Sequence, residues 1–191
     1  MFIDKELYKK GYKRVVGIDE VGRGCIAGPV VCSAVLYPID IEPFFFKDSK
    51  RLSKKKREEL VKYIKENAIA IGIGVVESDV IDRINIYNAT KLAMKRALED
   101  LKTDFDFIIT DYIKFEPYKH IALPKADEKS FLVASASVIA KVYRDNLMEE
   151  YESIYPYSFS KHKGYLTKLH KEEIREYGLS PIHRKSFKIK T

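Results

Sequence analysis

Cysteine is scarce in this sequence: Cys25 and Cys32 are the only two in 191 residues. That excludes a disulfide framework and points to a reducing compartment, the cytoplasm, with both thiols serving as small buried apolar side chains. Zinc is excluded too, because the four histidines, His120, His162, His170 and His183, are scattered and have no Cys-x-x-Cys partner. No apolar run is long enough to span a bilayer, and the opening "MFIDKELYKKGYKR" lacks the apolar core of a secretory signal. Internal repeats and low-complexity linkers are also lacking. The length therefore fits one domain, or a domain with a small extension.

Hydrophobic residues make up 46% of the chain, ordinary for a globular protein. At this size roughly 70% of the unfolded surface can be buried, enough for a self-sufficient core. The formal net charge of +7 favours an acidic partner, nucleic acid first. Thirteen tyrosines and ten phenylalanines lean the same way, since aromatic rings stack on bases and sugars, although most of them belong in a core.

Five segments read as strands: "RVVGIDEV", "GPVVCSAVLY", "AIAIGIGVVES", "FDFIITDY" and a short "HIALPKAD" cut by Pro124. Helices fall between and after them. Ser53 is placed to cap "KKKREELVKYIKEN", and Asn88 to cap "ATKLAMKRALEDL", whose Ala89, Ala93, Ala97 and Leu101 share a face. The segment 131–155 is one long helix, and its small residues Ala134 to Ser137 would let it lie close against a sheet. A last helix, "TKLHKEEIREYG", ends at Gly178. Early strands in succession, then strands alternating with helices, predict an α/β fold with a mixed sheet flanked by helices and a helical C-terminal extension. Residues 1–155 would form the main domain. Residues 156–191, the extension with its basic tail, would pack as part of the same unit.

Two apolar strands end in acid: "VVGID" at Asp19-Glu20 and "FIITD" at Asp111. Neighbouring strands lie about 4.8 Å apart, so Asp19 and Asp111 face each other if their strands are adjacent. Like charges that close raise each other's pKa unless a cation sits between them. Oxygen ligands alone suit Mg²⁺ or Mn²⁺. A third acid, Asp127, precedes the long helix. Taken singly, these acids read as the end of a surface strand, a turn residue and a helix N-cap; taken as a set, they favour a metal site. On a regular strand Asp19 and Glu20 point to opposite faces, so either the strand bends or Glu20 contributes its backbone carbonyl.

"GIDEVGRGCIAGPV" resembles the first conserved block of the ribonuclease HII family. "DSKRLS", "IDRINIYNATKLAM", "SASVIAKVYRD", "KHKGYLTKLH" and "HRKSF" resemble its later blocks, in family order, so the likeness covers nearly the whole chain. The resemblance implies a ribonuclease H-like fold. It also implies hydrolysis of RNA paired with DNA, including single ribonucleotides embedded in a DNA duplex, with two divalent ions, Mg²⁺ or Mn²⁺. The family carboxylates fall on Asp19, Glu20, Asp111 and Asp127, and the ribose-sensing residues on Gly22, Arg23, Gly24 and Tyr165. The chain departs from the family pattern at Ala126, where Gly is commoner, and at Leu166, where Gly or Pro is. Asp145 belongs to a family block without being one of the four acids and reads as a supporting residue. Ribonuclease HIII shares the acids but usually carries an N-terminal substrate-binding domain, and the Gly22-Arg23-Gly24 loop favours HII.

A two-ion site clamps the attacking and leaving oxygens of an in-line displacement, with Asp19 the best placed to bridge; the products carry 5′-phosphate and 3′-hydroxyl ends. Gly22 and Gly24 would let backbone N–H and C=O groups approach a 2′-hydroxyl, and Arg23 would add a phosphate contact. Ser49, Lys50, Lys161, Lys163, Lys168 and the tail "HRKSFKIKT" are candidate phosphate contacts, while "RLSKKKREE" reads as an exposed helix face. The partners expected are the RNA–DNA hybrid and ribonucleotide-containing duplex. A monomer without a specific protein partner is expected, as the tail has no clamp-binding motif. The competing reading, a hybrid-binding module without activity, predicts binding with no turnover in Mg²⁺.

Overall fold

The structure, a computed structural model, describes residues 3–42 and 53–188. A five-stranded sheet lies between two helical layers. Its strands are β1 (Val15–Val21), β2 (Val30–Leu36), β3 (Ala70–Val76), β4 (Phe107–Asp111) and β5 (His120–Leu123), in the order β3-β2-β1-β4-β5. The pairs β1–β2 and β2–β3 are antiparallel, and β1–β4 and β4–β5 are parallel. β5 stops before Pro124, which has no N–H to continue a ladder.

The central strands are apolar on both faces because both are covered. Val16, Ile18, Cys32, Ala34 and Ile108 pack beneath α3 (Ser78–Asp100). Val15, Val35 and Ile109 pack on the other face against α4 (Phe131–Glu152) and α2 (Lys54–Asn67). Gly17 lies where α4 crosses β1: a Cβ there would overlap the backbone of Leu132 and Val133, so the helix axis can approach only over glycine.

Ser53 caps α2, accepting from Lys56 N–H, and Ser130 caps α4, accepting from Val133 N–H. Asp4 of α1 (Ile3–Lys9), a helix the sequence patterns did not suggest, accepts from Ser130 Oγ and from Phe131 N–H at 2.7 Å, fastening the N-terminus to the start of α4. The cap expected at Asn88 is instead at Asn85. Asn85 takes φ 65°, ψ 164° inside α3, and its side-chain oxygen accepts from Asn88 N–H at 3.1 Å. Asparagine tolerates the left-handed region better than other non-glycine residues, so the chain kinks there and restarts the helix. The face of Ala89, Ala93, Ala97 and Leu101 is buried as the spacing predicted.

Beyond α4 come a short α5 (Phe159–His162), also unforeseen, and α6 (Lys168–Tyr177), which Thr167 caps. Tyr157, Phe159, Ile174 and Ile182 from this part share a cluster with Ile26, Ala27 and Met148. Arg184 N–H reaches Ile26 O at 2.8 Å, and Ala27 forms an isolated bridge with His183.

Candidate active site

Parallel pairing sets Ile18 beside Thr110, and the same offset carries Asp19 beside Asp111 at the C-terminal ends of β1 and β4. One cleft of about 440 Å³ opens there. Asp19, Glu20 and Asp111 line it, together with Gly22, Arg23, Gly24 and Tyr165. Asp19 and Glu20 reach it without a break in the strand: β1 stays paired with β2 through Val21, and the turn comes at Gly22, φ 93°. Asp19 faces α4 and accepts from Ser137, whereas Glu20 lies on the Cys32 side of the sheet. The cleft at the sheet's end gathers both.

Burial is the main reason the Asp19 carboxyl lies well above its ordinary value, and the charges of Glu20 and Asp111 push the same way. Glu20 is raised by burial as well, against the pull of Arg23, whose guanidinium sits 3.0 Å from its carboxylate. Arg23, expected on a phosphate, is thus paired with Glu20 in the free protein. Asp111 accepts from Ala126 N–H at 3.2 Å, which draws the 3-10 turn Ala126–Glu128 up to β4. Asp127 sits in that turn, half-buried, and is not part of the cleft wall.

The donor set suits a hard divalent cation: carboxylate oxygens only, packed closely enough to repel, with both thiols buried. Among the described residues no three acidic, histidine or cysteine side chains are gathered closely enough to hold a metal ion by themselves. The acids make an open rim, of the kind that leaves coordination positions for a phosphate.

The other wall joins Gly22-Arg23-Gly24 to one residue of the C-terminal part, Tyr165. Tyr165 stands 43% exposed between α5 and α6. Its backbone carbonyl lies 2.9 Å from His170 Nδ1 and so fixes the proton on that nitrogen. His170 Nε2 is then an acceptor, 3.0 Å from His183 Nε2, whose other nitrogen accepts from Ser180 N–H. His162 stacks on His170 at 3.9 Å, accepts at Nδ1 from Gly164 N–H and donates at Nε2 to Glu173. The three rings therefore form a buried, neutral network under the Tyr165 segment. Burial raises the Tyr165 hydroxyl itself, and neighbouring Cys25 adds to this.

Several expected phosphate contacts are corrected. His183 and Arg184 are buried, 1% and 0% exposed, because they turn inward against residues 23–28, whereas Lys185 and Lys188 of the same tail stay exposed. Lys163 is tied to Glu149 at 2.9 Å and to the Asp145 carbonyl. Lys168 remains exposed, 3.8 Å from Glu172. Ser49 and Lys50 lie outside the described residues. Conversely, Arg57, Ser137 and Lys141 line the cleft and were not anticipated. Ser137 and Lys141 are four apart on α4, a spacing that shares a face; Arg57 was hidden in a charge run that read as solvated surface. Asp145 holds Lys141 at 2.8 Å, a supporting contact.

A mixed sheet between helices with an acid-rimmed cleft at the ends of adjacent parallel strands defines a class, the hydrolytic nucleases of ribonuclease H-like fold. The family model for ribonuclease HII matches residues 16–190. The ribonuclease HII of Aquifex aeolicus is 54% identical over 183 residues, 95% of this chain and 93% of that one, and that of Sulfurihydrogenibium sp. is 47% identical over 98% and 96%. The ribonuclease HII solved in complex with PCNA from Archaeoglobus fulgidus superposes with TM-score 0.76 at 26% identity, over 93% of this chain and 96% of that one. The chain belongs to the ribonuclease HII family, endonucleases that hydrolyse the RNA of RNA–DNA hybrids and depend on divalent metal.

Proposed function

We propose that the protein also cuts DNA duplex on the 5′ side of a single embedded ribonucleotide, leaving 5′-phosphate and 3′-hydroxyl ends. The observation that carries this is the shared cleft: acids Asp19, Glu20 and Asp111 form one wall, and the backbone of Gly22-Arg23-Gly24 with Tyr165 forms the other. A sugar within reach of the loop would carry its phosphate against the acids. One 2′-hydroxyl, which both donates and accepts hydrogen bonds, is then enough to mark a site.

Asp19, Glu20 and Asp111, with Asp127 from the adjoining turn, would hold the metal. Two divalent ions, Mg²⁺ or Mn²⁺, supply an activated water and neutralise charge at the departing 3′ oxygen when bound. The protein's own groups orient the reaction. Ser137 holds the Asp19 carboxylate, Ala126 N–H holds Asp111, and the Tyr165 ring offers a flat face for the neighbouring sugar. Arg23 would exchange Glu20 for phosphate, and Arg57 and Lys141, on the cleft wall, are nearer candidates for the backbone than the tail. We further propose that residues beyond 155 act as one unit with the sheet, since they supply Tyr165. The free thiols Cys25 and Cys32 suit work in the cytoplasm, and a monomer without a protein partner remains our reading.

The test is cleavage of a DNA duplex carrying one ribonucleotide, with and without EDTA. Incision 5′ of that residue in Mg²⁺ or Mn²⁺, abolished by EDTA, is expected. Activity confined to long hybrids would overturn the single-ribonucleotide reading. Binding without cleavage in either metal would leave a hybrid-binding module.

A further inference from the structure

Arg144 and Arg184 are, among the described residues, the largest fully buried side chains, both 0% exposed. Neither takes part in an ion pair there. Asp82 lends Arg184 a favourable charge from beyond pairing distance, but a buried guanidinium with no direct ion pair is strongly destabilising unless its N–H groups are satisfied. Here they are satisfied by backbone carbonyls, and all of those carbonyls belong to the two short segments that carry the cleft residues Gly22–Gly24 and Tyr165. Arg144 donates from Nε to Pro29 O at 2.9 Å, from Nη1 to Lys163 O at 2.8 Å and from Nη2 to Ala27 O at 3.1 Å. Arg184 donates from Nε and Nη2 to Gly28 O at 3.0 and 2.8 Å, and from Nη1 to Arg23 O at 3.0 Å.

The backbone leaves room for Arg144 at Gly22. Gly22, Gly28 and Gly164 all have positive φ and all border Arg144. A Cβ on Gly22 would overlap Arg144 Nε; one on Gly28 would first meet Met148 Sδ, and one on Gly164 the Ala27 carbonyl oxygen that Arg144 holds, with Arg144 Nη2 farther off at 3.3 and 3.4 Å. Gly24 is different: a Cβ there would meet nothing within 4 Å, because its surroundings are the open cleft. In a trans peptide the C=O of one residue and the N–H of the next point in opposite directions. Holding the Arg23 carbonyl inward therefore turns the Gly24 N–H outward, and that N–H has no partner among the described residues.

We propose that Arg144 and Arg184 are positioning residues for sugar discrimination. Arg184, through the Arg23 carbonyl, aims the Gly24 N–H at the 2′-hydroxyl, and Arg144 locks the glycine loop to the Lys163–Tyr165 segment so that both halves of the reader meet one sugar. This rests on the reading above that Gly22-Arg23-Gly24 and Tyr165 sense the ribose. Burial lowers the Arg184 guanidinium to about 10, which leaves it charged at neutral pH. Lysine keeps a charge but lacks the planar fork that spans three carbonyls at Arg144 and two at Arg184.

The test compares Arg144→Lys, Arg184→Lys and Gly24→Val with the wild type. Single-turnover cleavage is measured at one position carrying ribose or deoxyribose in otherwise identical duplexes, at enzyme excess. The ratio of the two rates does not depend on what fraction of a preparation is folded, so a merely structural role would leave it unchanged. We expect each Arg→Lys variant to lower the ribose-to-deoxyribose ratio by about tenfold or more, mainly through kcat on the ribose substrate, with affinity for all-DNA duplex held within about twofold. Should Arg144→Lys not fold, Arg184→Lys, which releases only Arg23 and Gly28, carries the test. An unchanged ratio in a folded Arg→Lys variant, with Gly24→Val impaired, overturns the inference and leaves the ribose-sensing reading standing. A Gly24→Val enzyme with wild-type rate and ratio overturns that reading, and the inference with it.

Discussion

The two walls of the cleft are built on opposite plans. The acidic wall stands on regular structure, with Asp19, Glu20 and Asp111 at the ends of paired strands whose ladder fixes their spacing. The other wall, Gly22–Gly24 and Tyr165, rides on irregular backbone, segments 22–29 and 163–167, with few ladder hydrogen bonds of its own. It is held from behind by Arg144, Arg184 and the buried histidines. A carboxylate rim needs side chains at a set separation, which a sheet supplies. A sugar reader needs backbone N–H and C=O groups turned outward, and a sheet supplies none, because its ladder consumes them. The irregular wall therefore has to be braced by other means, and buried cations on carbonyls are the means found here.

Substitutions can break this comparison, and the largest effect belongs to the acidic wall. Asp111→Asn should lower cleavage in Mg²⁺ by about 10³-fold or more, since a lost ligand forfeits several kcal/mol of charge stabilisation. Duplex binding rests on cationic contacts and should stay equal or tighten slightly. Rates and gel-shift affinities on one hybrid would check both, and near-normal turnover would remove Asp111 from the site.

The reader wall should respond next, and unevenly. Gly24→Val places a branched side chain in the open cleft and should cost about 10²-fold in cleavage at a single ribonucleotide with little change in melting temperature. Gly22→Ala should do the reverse, lowering the melting temperature first, because φ 93° and Arg144 both oppose a Cβ. Paired kinetics and thermal melts would show whether the two glycines divide in this way.

Tyr165 sharpens the contrast on a smaller scale. Tyr165→Phe removes one hydroxyl and should cost about fivefold, near the worth of one hydrogen bond. Tyr165→Ala also loses the ring and should cost more; equal losses would mean that the ring contributes nothing.

The smallest effect distinguishes the walls by pH. Burial lowers His170 and His183 from the ordinary 6.5 to about 4, so they are neutral in the folded protein. Between pH 6.5 and 4 the unfolded chain binds protons that the folded one excludes. Their contribution to stability is intact above about pH 6.5 and falls as pH drops toward 4, by up to about tenfold in the folding equilibrium per histidine per pH unit. Melting curves from pH 7 to 5 should fall in wild type and flatten in His170→Gln. An unaltered pH slope would show that the histidine network is not the titrating element.

Truncation after Ile182 cannot serve as a probe of tail binding to the duplex. It would remove His183 and Arg184, which are interior parts of the reader wall. A run of basic residues at a chain end has the composition of a solvated arm, whichever way each side chain turns, and here His183 and Arg184 turn inward while Lys185 and Lys188 do not. Arg57 was missed for the same reason.

The sequence by itself determined the strands, the caps at Ser53 and Gly178, and the acids at strand ends. Each of these is local: a run of apolar side chains, a hydroxyl before a helix, a charge where the run stops. Six blocks in family order added the class of enzyme. Tertiary structure alone decided that β1 and β4 are neighbours, that Asn85 and not Asn88 breaks α3, and that Arg23 pairs with Glu20. It also decided that Arg144 and Arg184 face inward, onto carbonyls up to 161 residues away along the chain. A guanidinium looks the same in sequence whether it meets water, phosphate or a buried carbonyl; which of these it meets depends on packing between segments that no local pattern encodes.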